Sequence, residues 1–359
     1  MKIKTKLIAV SIALAIVPLV AATLIIQSLA TSSASEALEG AARNQLVAIR
    51  ETKKAQIEDY FDTIRNQVIT LSSNRMIINA LREFVVSYDF VAEGADIDQM
   101  RSELATYYQK QFAPEYARLN SGKTIDAMGL LNKLDDNGVV LQYRYIQANP
   151  NPLGNKHKLD AATDEARYHR IHQQYHPPIR QFLEAFEYYD IFLADTEGNV
   201  LYSVYKEVDF ATNLVKGAYA DSAMGQVYRQ AMNLGRDEIA FSDFAPFTPS
   251  YEGAASFIAS PVYENGEHSG VLILQMPIGK INAIMTSNQH WQEIGLGASG
   301  ETYLVGPDKK ARSMSRFLLE DKAGYLQMLQ GLGTPTAVLD QIAARETNIG
   351  LQEIDTAGT

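Results

Sequence analysis

Residues 7–26 carry no charged side chain, and only Ser11, Pro18 and Thr23 interrupt an otherwise apolar run. At ~1.5 Å of rise per residue, about 20 such residues cross the ~30 Å hydrocarbon core of a bilayer as one helix. A proline is tolerated in a membrane helix, so Pro18 is compatible with that reading. Lys2, Lys4 and Lys6 precede the run, Glu36 and Glu39 come after it, and Arg43 is the first positive charge beyond it. The positive-inside rule then leaves the N-terminus in the cytoplasm and the rest of the chain outside. The rival reading is a cleaved signal peptide, with Ser28-Leu29-Ala30 as its cleavage site, although such peptides have apolar cores of only about 7–15 residues. Both readings export the remainder of the chain. Residues 257–262 and 271–277 are apolar too, but only of strand length.

With 359 residues the chain has room for about two domains. Hydrophobic residues at 46% and charged residues at 21% are ordinary for a folded protein and exclude wholesale disorder. A net charge of -10 argues against a duplex nucleic-acid binder, which needs clustered basic charge. The absence of cysteine removes disulfide scaffolds, thiolate metal sites and cysteine nucleophiles together. It also suits an oxidising compartment.

Leu46, Ile49, Ile57, Tyr60, Ile64, Val68, Leu71, Ile78, Leu81 and Val85 recur at helical spacing, which predicts one long amphipathic helix over residues 46–85. A helix-rich stretch over 97–118 comes next. The period then changes. Residues 127–134, 139–146, 189–195, 200–205, 255–263 and 269–277 read as strands. Turn signals stand between pairs of them: Asp136-Asn137-Gly138, Glu197-Gly198-Asn199 and Glu264-Asn265-Gly266-Glu267. Helical pieces are expected at 164–174, 179–186 and 223–233, with a fraying end at Pro177-Pro178. Antiparallel hairpins with helices beside them make the expected fold class α+β. A shorter unit after Trp291 offers strands at 300–306 and 351–354 and short helices at 318–329 and 337–344. So few strands do not close a sheet, and this second module is expected to be truncated.

The order of lysine cluster, membrane helix, long exported helix and paired α+β modules resembles the double-Cache sensor region of bacterial methyl-accepting chemotaxis proteins. The residues that carry the likeness are Tyr188-Tyr189-Asp190-Ile191-Phe192-Leu193, the stretch from Tyr202 to Phe210, Ala255-Ser256-Phe257-Ile258-Ala259-Ser260-Pro261-Val262, and Gly300-Glu301-Thr302-Tyr303-Leu304-Val305-Gly306. Arg50-Glu51-Thr52-Lys53-Lys54 and Tyr60-Phe61 add to it. The resemblance implies a cytoplasmic segment at 1–6, a transmembrane helix at 7–29, an exported helix at 30–95, and PAS-like Cache modules at 96–285 (membrane-distal) and 286–359 (membrane-proximal, incomplete). It implies an inner-membrane homodimer with a periplasmic sensor, a small-molecule ligand, and coupling to a cytoplasmic kinase through an output domain beyond these residues. The same sensor type precedes nucleotide cyclases and histidine kinases, which is the alternative reading. A membrane-tethered binding protein without output is a third.

Amino-acid-binding Cache domains share an Arg-x-Trp-Tyr segment and an Asp closing a Gly-Val strand. Here Trp291 is the only tryptophan, and the strand Gly270-Val271-Leu272-Ile273-Leu274-Gln275 ends in an amide. A neutral amide does not pair with an ammonium as a carboxylate does, so an amino-acid ligand is not supported.

The candidate ligand contacts are Tyr143 and Tyr145, on one face of an expected strand with Arg144 on the other, together with Arg180, Asp243, Phe244, Tyr251 and Gln275. Tyrosines supply flat walls with polar tips, and Arg180 offers bidentate recognition of a carboxylate or a salt bridge to Glu184. Asn149-Pro150-Asn151-Pro152-Leu153-Gly154 and the loop over 243–251 are Pro-ordered rims. His169, His172 and His176 share one helical face, with Glu165 one turn earlier. They are an alternative metal site, weighed against a polar face bonded to backbone, and no metal or other cofactor is expected. Gly295-Leu296-Gly297-Ala298-Ser299-Gly300 fits G-x-G-x-x-G but is followed by a strand rather than a helix, so it reads as a turn. No nucleophile elbow, H-E-x-x-H or Walker loop appears, and no enzyme is expected in the residues present.

Overall fold

The computed structural model describes residues 3–164 and 166–354; Met1, Lys2, Glu165 and the terminal Asp355-Thr356-Ala357-Gly358-Thr359 lie outside the described residues. Two compact units are present. One comprises Met1–Ala55 with Gln292–Gly300, the other Gln56–Trp291 with Glu301–Thr359.

Helix α1 (Ile3–Ser72) begins in the first unit and runs unbroken through Pro18. Every side chain from 7 to 29 is exposed, and the helix is long and apolar enough to cross a membrane. Within this unit the Gln45 amide donates to the Gly295 carbonyl at 2.9 Å, and the 295–300 segment is a run of turns.

In the second unit the expected single helix is two. Helix α1 stops at Ser72, and Asn74 starts α2 (Arg75–Tyr88) by accepting a hydrogen bond from the Met76 N–H at 2.7 Å. An Asn in this position satisfies an otherwise orphaned amide and sets a new axis. Ile64, Val68 and Leu71 of α1 and Ile77, Leu81 and Phe84 of α2 face one core. Helix α3 (Ile97–Tyr107) continues through a π-helical turn (Tyr108–Phe112) into α4 (Ala113–Leu119).

The strands expected over 127–134 and 139–146 are helices α5 (Ala127–Leu131) and α6 (Asp136–Gln142), the latter passing into a π-helical turn (Tyr143–Gln147). Asp126 and Asp135 are the N-caps, accepting from the Gly129 and Gly138 amides at 2.8 and 2.7 Å. The apparent hairpin signal at Asp136-Asn137-Gly138 is therefore a helix start. Val139, Val140 and Leu141 are all buried, and a run buried on every side has no period to separate strand from helix. Helix α7 (Arg167–Phe186) passes straight through Pro177-Pro178, against the expected break. His172, His176, Ile179 and Leu183 are buried on its inner face, and that packing outweighs the lost backbone bonds. It ends at Glu187 in the left-handed conformation.

Strands β1 (Asp190–Ala194) and β2 (Val200–Ser203) form a hairpin, followed by α8 (Ala223–Ala231). Then come β3 (Ala240–Phe241), β4 (Ala245–Phe247), β5 (Gly253–Ala255), β6 (Phe257–Glu264) and β7 (Glu267–Gln275). The main sheet is antiparallel with order β2-β1-β7-β6-β3, and β4 pairs with β5 apart from it. Alternation along the strands splits the core. Phe192, Val200 and Ile273 face α8 through Val227 and Tyr228. Ile191, Leu193, Leu201 and Leu272 face α1, α2 and α7. The class is thus α+β, as expected.

Helix α9 (Ile278–Thr286) succeeds the sheet, and α10 (Arg316–Glu320), α11 (Lys322–Gly331) and α12 (Thr336–Arg345) pack around Leu318, Tyr325, Leu329 and Ile342. The strands expected at 300–306 and 351–354 shrink to single bridges, Val305 with Ala311 and Lys310 with Glu353.

At Gly270 the geometry requires a glycine. Gly270 on β7 has φ +151°, and a Cβ there would meet the Ala194 carbonyl oxygen at 2.3 Å and a Leu81 methyl at 2.9 Å. Gly270→Ala is expected to destabilise the chain by about 2 kcal/mol, through overpacking and backbone strain. Urea or thermal unfolding measures this; a loss below about 0.5 kcal/mol, the range of neutral surface changes, would contradict the packing described.

Candidate functional site

At one end of the β1/β7 ladder the chain leaves a cleft of about 640 Å³. Tyr189, just before β1, and Gln275, at the end of β7, stand side by side because the Tyr189 N–H donates to the Gln275 carbonyl at 3.1 Å. A single 3-10 turn (Thr248–Ser250), closed by Tyr251 in the left-handed conformation, presents Ser250 to the same wall. Ile278 and Asn282 of α9 form another side, and Met314 and Ile349 line the opposite one. A mostly apolar hollow with a few convergent polar groups is the usual form of a small-molecule site.

The polar groups form a chain. The Tyr189 hydroxyl donates to Glu207 Oε1 at 3.0 Å, and the Gln275 amide nitrogen lies 3.4 Å from Ser250 Oγ. Gln275 is buried, and its Oε1 has no hydrogen-bond partner among the described residues. A buried amide oxygen without a donor carries a desolvation cost.

Behind this wall lies a charged cluster. Asp190, opposite Gln275 in the strand register, accepts from the backbone N–H groups of Ile191, Val204 and Tyr205 at 2.6, 2.8 and 3.2 Å. Lys206 is buried; its ammonium bonds the Ser203 carbonyl and stands 4.5 and 4.9 Å from the ring centres of Tyr202 and Phe210. Burial pushes the Asp190 carboxyl up, against the pull of the Lys206 charge, and pushes the Lys206 ammonium down, against the pull of Asp190. Burial, then the charge of Asp190, raises Glu207; burial, then the charge of Glu207, raises Asp209. Asp209 is fully buried, and both its carboxylate oxygens lack a hydrogen-bond partner among the described residues.

Of the residues singled out from the sequence, Gln275 alone lines this cleft. Tyr251 borders a neighbouring hollow of about 410 Å³; its ring packs on Phe112, and its carbonyl accepts from Asn120 and Arg345. Asp243 is held in a bidentate pair by Arg312 at 3.0 and 2.9 Å, and Phe244 is buried beside it in the core. Arg180 bonds Asp160 and the His157 carbonyl, both at 2.8 Å, rather than Glu184. Tyr143 and Tyr145 sit on the π-helical turn, not on a strand; Tyr143 is half-buried, and Tyr145 is fully buried with its hydroxyl 2.8 Å from His169 Nδ1.

The histidine face of α7 is inward. His172 Nδ1 meets the Asp160 carbonyl at 2.6 Å, His176 bonds the Tyr202 hydroxyl and the His157 carbonyl, and His169 Nε2 lies 2.9 Å from Asp164. Among the described residues no cluster of His, Asp and Glu has the geometry to hold a metal ion. Ser250 lies within the expected 243–251 rim, whereas Tyr189, Glu207 and Asp209 are not among the residues the sequence marks as ligand contacts. The available signal was the charge-rich Lys206-Glu207-Val208-Asp209 set inside an apolar run, since charges there are buried or used.

No family model matches the chain, and no curated protein does. Solved structures give weak likenesses. The sensor domain of the V. cholerae histidine kinase DctB is 18% identical over 52% of this chain and 58% of its own length, with a TM-score of 0.24. The sensory domain of the Campylobacter jejuni chemoreceptor Tlp3 with isoleucine bound is 11% identical over 70% of this chain and 78% of its own, at 0.29. The ligand-binding domain of the Pseudomonas fluorescens chemoreceptor CtaA with L-serine is 14% identical over 62% and 75%, at 0.28. These are sensor domains of receptor classes that the sequence resembles. Likeness of this degree bears on neither ligand nor mechanism, which rest on the chain's own residues.

Burial holds the histidines neutral. It lowers His169 to about 4, with Asp164 opposing, and lowers His176 to about 2, with the charge of Lys206 adding to the effect. An unfolded histidine titrates near ~6.5, so below that pH the unfolded chain binds more protons and stability falls as pH falls. Relative to His176→Gln, the wild type is expected to lose up to ~1.4 kcal/mol per pH unit between about pH 6 and 4. Parallel unfolding curves for the two proteins across that range would contradict a neutral buried His176.

Proposed function

We propose that this chain is the sensing part of a bacterial transmembrane chemoreceptor, anchored in the inner membrane by the apolar part of α1, with the α+β region in the periplasm. A small molecule binds the cleft at the end of β1 and β7 and biases signalling to a cytoplasmic kinase through an output domain. The observation that carries this reading is the mostly apolar cleft of about 640 Å³ at the end of the β1/β7 ladder, with Tyr189, Ser250 and Gln275 on its polar wall.

The cleft also suits signalling. One wall belongs to the sheet and α9, the other to residues 314–349. A ligand that touches both walls favours the arrangement in which they are closest. Only such differential affinity shifts a two-state balance, and a tenfold preference is worth about 1.4 kcal/mol. Rigid ties keep that bias from dissipating. Arg312 links Asp243 to Asp308, and the Arg345 guanidinium bonds the carbonyls of Leu119, Tyr251 and Glu252. The Ile57, Ile64, Val68 and Leu71 stripe of α1 is packed into this chain's own core and does not offer a second copy a helix-to-helix contact.

A thermal-shift panel of organic acids, amino acids, amines and purines tests the site. A ligand at 100 times its dissociation constant adds about 2.7 kcal/mol of stability. Ala283→Trp places an indole in the cleft from α9 and is expected to abolish that gain with the fold retained. Ligand-induced stabilisation that survives Ala283→Trp would place binding elsewhere.

A further inference from the structure

Among the described residues, every side chain lining the cleft at the end of the β1/β7 ladder is uncharged: hydrocarbon, hydroxyl or amide. Lys280 follows Gly279 on α9, but it is exposed and does not line the cleft. Behind Tyr189, burial holds Glu207 toward its neutral form. An ammonium, carboxylate or phosphate entering this space would give up water and meet no counter-charge. An uncharged molecule incurs no such cost.

The hydrogen bonds of the wall single out one spare polar group. The lining hydroxyls spend their protons inside the protein: Tyr189 donates to Glu207 at 3.0 Å, Thr286 to the Asn282 carbonyl at 2.8 Å, and Thr347 to the Met314 sulfur at 3.2 Å. Gln275 is turned into the wall, with its nitrogen toward Ser250 and its Oε1 sealed from solvent. Asn282 on α9 differs. Its Oδ1 accepts the Met314 N–H at 2.8 Å, which fixes the orientation of the amide and leaves Nδ2 as the donor end. Among the described residues that nitrogen has no acceptor, and unlike Gln275 Oε1 it is not sealed from solvent. Ile278, Met314, Leu319 and Ile349 supply hydrocarbon to the same cleft. An oriented donor in an apolar hollow favours a ligand that brings an acceptor to it.

From this lining we infer that the cleft takes an uncharged, mainly apolar molecule with a carbonyl-type acceptor. The acceptor receives a hydrogen from Asn282 Nδ2, and the hydrocarbon body lies against Ile278, Met314, Leu319 and Ile349. This rests on the cleft being the sensor's ligand site.

The test uses the full chain in nanodiscs and isothermal titration at neutral pH with three probes of one shape: benzylacetone, hydrocinnamate, and the primary amine made from benzylacetone by reductive amination. The ketone is expected to bind at least about tenfold more tightly than either ion, since only the ions lose hydration without a counter-charge. Asn282→Asp keeps an oxygen for the Met314 N–H, removes the donor and adds a negative charge. It is expected to weaken the ketone about tenfold and to strengthen the amine, a reversal that a structural defect would not produce. Either ion binding as tightly as the ketone to the wild type, or an equal loss for all three probes in Asn282→Asp, would overturn the assignment of ligand class alone. Ketone binding that survives Ala283→Trp, or no binding by any of the three probes, would count against the cleft as the ligand site.

Discussion

The fold of the site depends on one buried carboxylate. Asp190 opens β1, sits opposite the last residue of β7, and takes three backbone N–H groups from both arms of the β1–β2 hairpin. A carboxylate that deep is costly unless fully bonded. Its bonds to Val204 and Tyr205 fix where the chain turns after β2, and so where Lys206, Glu207 and Asp209 emerge. Without that tie the 204–210 segment has no reason to bring three charges under the end of the sheet.

The surrounding elements frame this carboxylate. Helix α8 covers one face of the sheet, and α1, α2 and α7 cover the other, leaving the ladder's end as the place where polar side chains reach open space. Helix α9 departs from the ladder at that end and brings an apolar wall with it. The histidines and tyrosines beneath α7 are a neutral, hydrogen-bonded interior rather than a second site. They fill the space below Lys206 with rings and leave its charge to Asp190.

Much of this architecture was legible in the residues. The β6–β7 hairpin announces itself through Asn265-Gly266, both with positive φ, which is what a tight turn between twisted strands requires. The α1 stripe and the apolar span are equally plain. The segment 127–146 was not legible, because a run buried on all sides loses its period and Asp-Asn-Gly serves a helix cap as well as a hairpin. Pro177-Pro178 misled because propensity yields to packing on α7. The site itself was only partly visible. Gln275 is implied by the strand it closes, but its neighbours Tyr189, Ser250 and Glu207 come from three separate segments, and nothing short of the register between β1 and β7 brings them together. Asp243 and Arg180, the most ligand-like residues by type, are held by Arg312 and Asp160.

The central claim is that small-molecule binding takes place at the end of the β1/β7 ladder. Amide hydrogen exchange on the full chain, with and without a saturating ligand from the thermal-shift panel, addresses it most directly. The account predicts slowed exchange in residues 250–254, 275–286 and 347–349, with the groove between α1 and α7 around Gln67 and Phe182 unchanged. Protection confined to that helical groove, with the ladder's end exchanging as before, would contradict it.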